Sequence, residues 1–235
     1  DDDGIGTWNI ISEAIVDQTI ECINLKKVNP NIRCTFNFSI GGLGPIPSID
    51  AALDMAYKEG IVAVAAAGNT QISLDRFPIY PATKPGTIAV AALDINDKLT
   101  SSGYGKEVFL TAAGGVSILT TVSKDGKSSP TDQPGYHSYS GTSVSVPQVV
   151  GAINLVWSKY RNLTPEQIKL LAISSSDAIP QLRPYITSGG RLNALMMVDI
   201  DSLLGETLGP PKYFSITNVS HISVKLAQAF DGKAI

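Results

Sequence analysis

The 235 residues suffice for one large domain with a well-filled core, or for a domain with an appendage. Hydrophobic residues make up 43% and charged residues 17%, which excludes a disordered, solvating chain. A net charge of −3 with scattered Lys and Arg excludes a nucleic-acid-binding footprint, and no apolar run is long enough to span a membrane.

The opening Asp1-Asp2-Asp3 is followed by no basic or apolar leader, so a mature or internal start is expected. Residues 7–23 carry apolar positions at helical spacing, with Ile10, Ile11, Ala14, Ile15, Ile20 and Ile23 on one broad face. Asn29-Pro30-Asn31 breaks that helix. Residues 33–40 read as a short strand running into Gly41-Gly42-Leu43-Gly44-Pro45. A second helix is expected over 48–58, stopped by Gly60. Residues 61–67 and 87–93 are continuous apolar runs, and 108–113 is a shorter one; such runs suit parallel strands buried on both faces. Residues 146–159 read as a buried helix. Thr164-Pro165-Glu166-Gln167 opens another, with a capping Thr, Pro at the first helical position and Gln three residues after the cap; it runs to about Ser174.

This alternation predicts an α/β fold with a mostly parallel sheet. From Asp201 the pattern weakens, and Gly205, Gly209, Pro210 and Pro211 form a linker. The core domain is therefore expected to end near residue 200, with 201–235 a linker and the start of a C-terminal extension. Cys22 falls in a helical pattern and Cys34 in a strand pattern. Two separate buried thiols are expected, with one disulfide as the alternative.

Four segments carry chemistry, and their order matters more than any one alone. Ser39-Ile40-Gly41 follows a strand. Ala65-Ala66-Ala67-Gly68-Asn69 ends a buried strand. Tyr80-Pro81-Ala82 precedes another strand. Ser140-Gly141-Thr142-Ser143-Val144-Ser145-Val146-Pro147 leads into a buried helix. Together these segments resemble the subtilisin-like serine protease family over residues 1 to about 200. Gly189-Gly190-Arg191-Leu192-Asn193 looks like that family's closing strand-and-helix segment.

The resemblance implies that residues 1–200 are the C-terminal part of a three-layer subtilisin-like peptidase domain whose N-terminal part is absent from this chain, and that the parent protein is a serine endopeptidase. Ser143 would be the nucleophile and Asn69 an oxyanion-hole donor. Ser39, Ile40 and Gly41 would bind the substrate backbone, and Ala66, Ala67 and Gly68 would complete the slot for the residue before the cut. The small residues there suggest a roomy apolar slot and a preference for large hydrophobic side chains. The physics agrees: a serine at a helix start meets the positive end of the helix dipole, which favours the developing anion. Pro147 is expected in the first helical turn, where a missing N–H costs nothing. The implied partner is a peptide or protein substrate, with no cofactor. No metal is expected, because Val108 or Phe109 falls where the family often has a calcium-site aspartate. The family also favours a secreted or extracytoplasmic location.

The sequence departs from the pattern in one large respect. The family orders its triad Asp, His, Ser, with the histidine roughly 160 residues before the serine. Only 142 residues precede Ser143. The triad Asp and His are therefore expected upstream of residue 1, in an N-terminal segment that is attached, separate or cleaved, and this chain alone is expected to be inactive. Of the two histidines, His137 reads as an exposed loop residue and His221 as incidental. The alternative function is a non-catalytic module of the same fold that binds or scaffolds.

Other readings fare worse. Glu13 and Asp17 resemble the acidic pair of the sedolisin proteases, but Asn69 stands where that family has Asp; a solvated helix face explains the pair. Gly41-Gly42-Leu43-Gly44 lacks the spacing of a nucleotide loop. Gly141-Thr142-Ser143 lacks the second glycine of a nucleophile elbow. Asn37, Asn162 and Asn218 each begin a glycosylation triplet, with Asn37 in the substrate strand and expected to stay bare.

Overall fold

The computed structural model describes residues 6–115, 117–122 and 135–199. The linker and extension expected at 201–235, with His221 and Asn218, lie outside the described residues, as do Asp1-Asp2-Asp3.

In chain order the elements are α1 (Trp8–Val28), β1 (Thr35–Phe38), β2 (Gly42–Leu43), α2 (Pro47–Lys58), β3 (Val62–Ala66), β4 (Ile79–Tyr80), β5 (Ile88–Leu93) and β6 (Val108–Ala113). They continue with β7 (Ile118–Thr121), β8 (Tyr136–Tyr139), α3 (Thr142–Lys159), α4 (Pro165–Ser174), β9 (Asp177–Ala178), β10 (Gly190–Arg191) and α5 (Ala194–Val198). The main sheet has the order β1-β3-β5-β6-β10-β9 and is parallel throughout except for the last pair. The expected α/β architecture is present.

The period of two along a strand explains the three layers. Val62, Val64 and Ala66 of β3 and Ile88 and Val90 of β5 join a core beneath α3, α4 and α5. Their neighbours Ala63, Ala65, Ala89 and Ala91 face the other way, into a core shared with Ile15 of α1 and Ile49 and Leu53 of α2. Both faces are covered, so β3 and β5 are buried along their whole length and read as continuous apolar runs in sequence.

Three expectations need correction. First, α1 buries Ser12, Ile15, Thr19 and Cys22, while Ile10 and Ile20 are exposed at 58% and 45%. Polar residues can line the packed stripe because Ser12 Oγ donates to the Asn9 carbonyl at 2.8 Å and Thr19 Oγ1 to that of Ile15 at 2.7 Å. Second, Cys22 and Cys34 form a disulfide. The helix continues past 23 to Val28, and the chain then doubles back into β1, bringing the two Cα atoms within 6.5 Å. Third, α3 begins at Thr142 rather than 146, which places Pro147 in the helix interior.

The helix start expected at Thr164 is present in full. Thr164 Oγ1 accepts from Gln167 N at 3.3 Å, and Gln167 Oε1 accepts from Thr164 N at 2.8 Å. Among the described residues, no helix is long and apolar enough to cross a membrane.

Candidate active site

The sheet brings the sequence-predicted residues to the C-terminal ends of its strands. Ser39 follows β1, Gly68 and Asn69 follow β3, and Ser143 is the second residue of α3. This is where α/β sheets place their sites, because connections there open outward from the strand ends.

Ser143 and Ser39 are tied together twice. Ser143 Oγ donates to the Ser39 carbonyl at 3.2 Å, and Ser39 Oγ donates to the Ser143 carbonyl at 2.8 Å. Asn37 adds a third contact, its Nδ2 donating to Ser39 Oγ at 2.9 Å. The interior Pro147 explains why the Ser143 carbonyl is available. An ordinary residue there would send its N–H to that carbonyl four residues back; proline has none. The Ser39 hydroxyl takes the vacated acceptor, so a usually costly helix proline becomes part of the link between the two segments. Sequence reasoning missed this because it set the helix start four residues late.

Asn69 meets the helix start from the other side. Its Oδ1 accepts from the Thr142 N–H at 2.8 Å and from Thr142 Oγ1 at 2.9 Å. Thr142 N can only donate, so the carboxamide orientation is fixed. The oxygen is committed to α3, and Nδ2 remains as the donor end. It lies against Gly141, where an added Cβ would come within 2.9 Å of it. Gly141 also has φ of 122°, a conformation side-chain-bearing residues rarely adopt. Glycine is thus required there twice over. The N–H groups of a helix's first turn have no intrahelical acceptor, so the Ser143 N–H is a second donor at this point.

The base of the helix is fastened to the sheet. Ser145 is buried and its Oγ donates to the Ala113 carbonyl at 3.1 Å; Gln148 Nε2 donates to the same carbonyl at 2.7 Å.

Of the residues expected to line a substrate slot, Ala66 and Ala67 are buried and Ile40 is exposed at 42%. Ile79 lies near both Gly41 and Gly68. An added Cβ on Gly41 would approach its Cγ2 to 2.9 Å, and one on Gly68 its Cγ1 to 3.9 Å. The pairing of β2 with β4 puts it there. No local sequence signal linked Ile79 to Gly41 or Gly68.

His137 is not an exposed loop residue. It sits half-buried on β8, opposite Thr120 of β7, with its ring 4.4 Å from that of Tyr139. A cross-strand pair positions it, and its short polar and aromatic neighbours gave no clear strand pattern.

A polar recess of about 420 Å³, lined in part by Asn29, Arg33, Asn154 and Arg161, lies toward the other end of α3 and away from Ser143. Arg33 is committed there, donating to the carbonyls of Arg161 at 2.5 Å and of Pro30 at 2.8 Å. Among the described residues, no group of three or more His, Cys, Asp or Glu side chains gathers to hold a metal.

The fold is a mostly parallel α/β sheet flanked by helices, and comparison with known proteins places it further. The model of the subtilase family matches residues 2–199. The chain is 38% identical over 135 residues to subtilisin DY of Bacillus licheniformis, covering 57% of this chain and 46% of that protein. It is 33% identical over 202 residues to thermitase of Thermoactinomyces vulgaris, covering 84% of this chain and 62% of that protein. A crystal structure of a lanthipeptide protease shares the fold, with a TM-score of 0.68 at 19% identity over 81% of this chain and 66% of that one. The chain belongs to the subtilase family. It spans about half the length of subtilisin DY and a third of other subtilisins it matches.

Proposed function

We propose that this chain is the nucleophile-bearing part of a serine endopeptidase. Ser143 Oγ attacks the scissile carbonyl carbon, and its proton passes to a general base. The carbonyl oxygen, now negative, accepts hydrogen bonds from Asn69 Nδ2 and the Ser143 N–H. The amine leaves with the proton, and water then hydrolyses the acyl ester on Ser143. The substrate backbone lies along Ser39-Ile40-Gly41, and the side chain before the cut enters the slot between that segment and Ala66-Ala67-Gly68. The base and its orienting carboxylate come from polypeptide beyond these 235 residues, joined to the chain or separate from it.

The observation that carries this reading is the Asn69 carboxamide. An oxygen end locked to α3, with the donor end against Gly141 two residues before Ser143, supports the preorganisation that a tetrahedral oxyanion needs, and a helix N-cap role for a serine would not require it. Membership of the subtilase family supports the same reaction class.

A fluorophosphonate probe tests it, applied to the protein with its upstream polypeptide present and with Ser143→Ala as the control. Labelling at Ser143 alone is expected, because only an activated serine reacts. Folded material that stays unlabelled would instead assign the chain to a non-catalytic binding or scaffold module.

A further inference from the structure

The three Asn-x-Ser/Thr triplets are not equal in the fold. Asn218 lies outside the described residues. Asn162 is exposed in the turn between Tyr160, which ends α3, and Thr164, which caps α4. The middle residue pins that turn: Leu163 is buried, and its carbonyl accepts from Trp157 Nε1 at 3.0 Å. Burying Leu163 leaves its neighbour Asn162 facing solvent on a fixed backbone, with room for a bulky hydrophilic group.

Asn37 is in a different position. It is also exposed, but its Nδ2 donates to Ser39 Oγ, which in turn holds the Ser143 carbonyl. A glycan on that nitrogen would crowd the segment that fixes the nucleophile's helix.

A second observation concerns the compartment. Bridges such as Cys22–Cys34 form and persist chiefly in oxidising compartments, among them the lumen in which oligosaccharides are transferred to asparagine. The triplet alone is a weak signal; the exposed, pinned turn and the bridge together carry it further.

We propose that Asn162 is an N-glycosylation site and that Asn37 is not. In the transfer, Asn162 Nδ2 forms a bond to the anomeric carbon of a lipid-pyrophosphate-linked oligosaccharide. The amide gives up one proton and the lipid pyrophosphate leaves, with no change in oxidation state. The modified turn sits at the far end of α3. Its 18 residues separate Asn162 from Ser143 by roughly 25 Å, so the glycan leaves the nucleophile open.

The test is secretion of the full chain, with its upstream polypeptide and an added signal sequence, from a eukaryotic host. Thiol titration of the secreted protein first establishes whether the bridge is closed. Enzymatic glycan release in heavy-oxygen water then marks each occupied asparagine for peptide mass spectrometry. The expected result is a mark at Asn162, none at Asn37, and loss of the mark in Asn162→Gln with the thermal midpoint kept. Bridged, folded protein with a bare Asn162 would overturn the proposal, as would a mark at Asn37. Free thiols at Cys22 and Cys34 would overturn it too, since the compartment argument rests on the bridge.

Discussion

Asn69 and Ile79 show what single side chains decide here. Asn69→Ala removes the side-chain donor but leaves the Ser143 N–H in place. The expected outcome, read by steady-state kinetics on the completed enzyme, is a fall in kcat on the order of 10²–10³ with KM little changed. That scale is already known from removing such a donor in subtilisin, and the magnitude is carried over from there. A rise in KM at constant kcat would instead make Asn69 a substrate-binding residue. In the proposed slot Ile79 would bear on specificity, because its side chain stands near both Gly41 and Gly68. Ile79→Gly should deepen the slot and shift preference toward larger apolar side chains. One added methylene in such a slot changes discrimination by about 10- to 200-fold. Profiling the parent and Ile79→Gly with a peptide library checks this, and an unchanged profile would remove Ile79 from the slot.

At the scale of elements, α4 carries a lysine whose charge depends on its packing. Lys169 Nζ lies 3.4 Å from the centre of the Phe109 ring and donates to the Thr87 carbonyl at 3.2 Å. Burial pulls its pKa down to about 8 from the ordinary 10.5, against the raising influence of Glu107 and Glu166. The sign of the pH effect follows. Below about 8 the folded state holds a buried cation, and the penalty is present in full. Between about 8 and 10.5 the unfolded chain binds a proton that the folded chain has released, so this group's contribution rises with pH. Lys169→Met removes the titration. Urea unfolding across that window should show a shallower climb, or a steeper fall, for the variant than for the parent. Identical pH slopes would mean that Lys169 titrates alike in both states.

The whole molecule is organised around α3. Its N-terminus presents Ser143, and its buried face, with Val149, Ile153 and Val156, packs on the sheet side formed by Val64, Val90 and Leu110. Ile153 is fully buried in that layer. Ile153→Ala should cost about 2–5 kcal/mol of unfolding free energy, the range for large-to-small changes in a filled core. A denaturant midpoint shift with an unchanged slope would check it. Because α3 holds both core residues and Ser143, damage at Ile153 is expected to weaken Ser143 labelling through lost folded protein, and labelling per folded molecule should stay constant.

The sequence by itself determined the elements whose signals are local. Continuous apolar runs marked β3, β5 and β6, because strands covered on both faces need no polar side. The Thr164 capping box was legible because its hydrogen bonds lie within four residues. Ser143, Asn69 and the Ser39-Ile40-Gly41 segment were legible through the order of their motifs. The tertiary structure alone decided features that join distant residues. The Cys22–Cys34 bridge depends on how the chain turns after α1. Ser12 and Thr19 could replace isoleucines on the packed stripe only because their hydroxyls bond back to the helix. The place of Ile79 near Gly41 and Gly68 follows from the pairing of β2 with β4. The exchange of hydrogen bonds between Ser39 and Ser143 spans 104 positions. Contacts of that range leave no periodicity in the sequence, because each is fixed by packing of elements whose relative positions only the fold supplies.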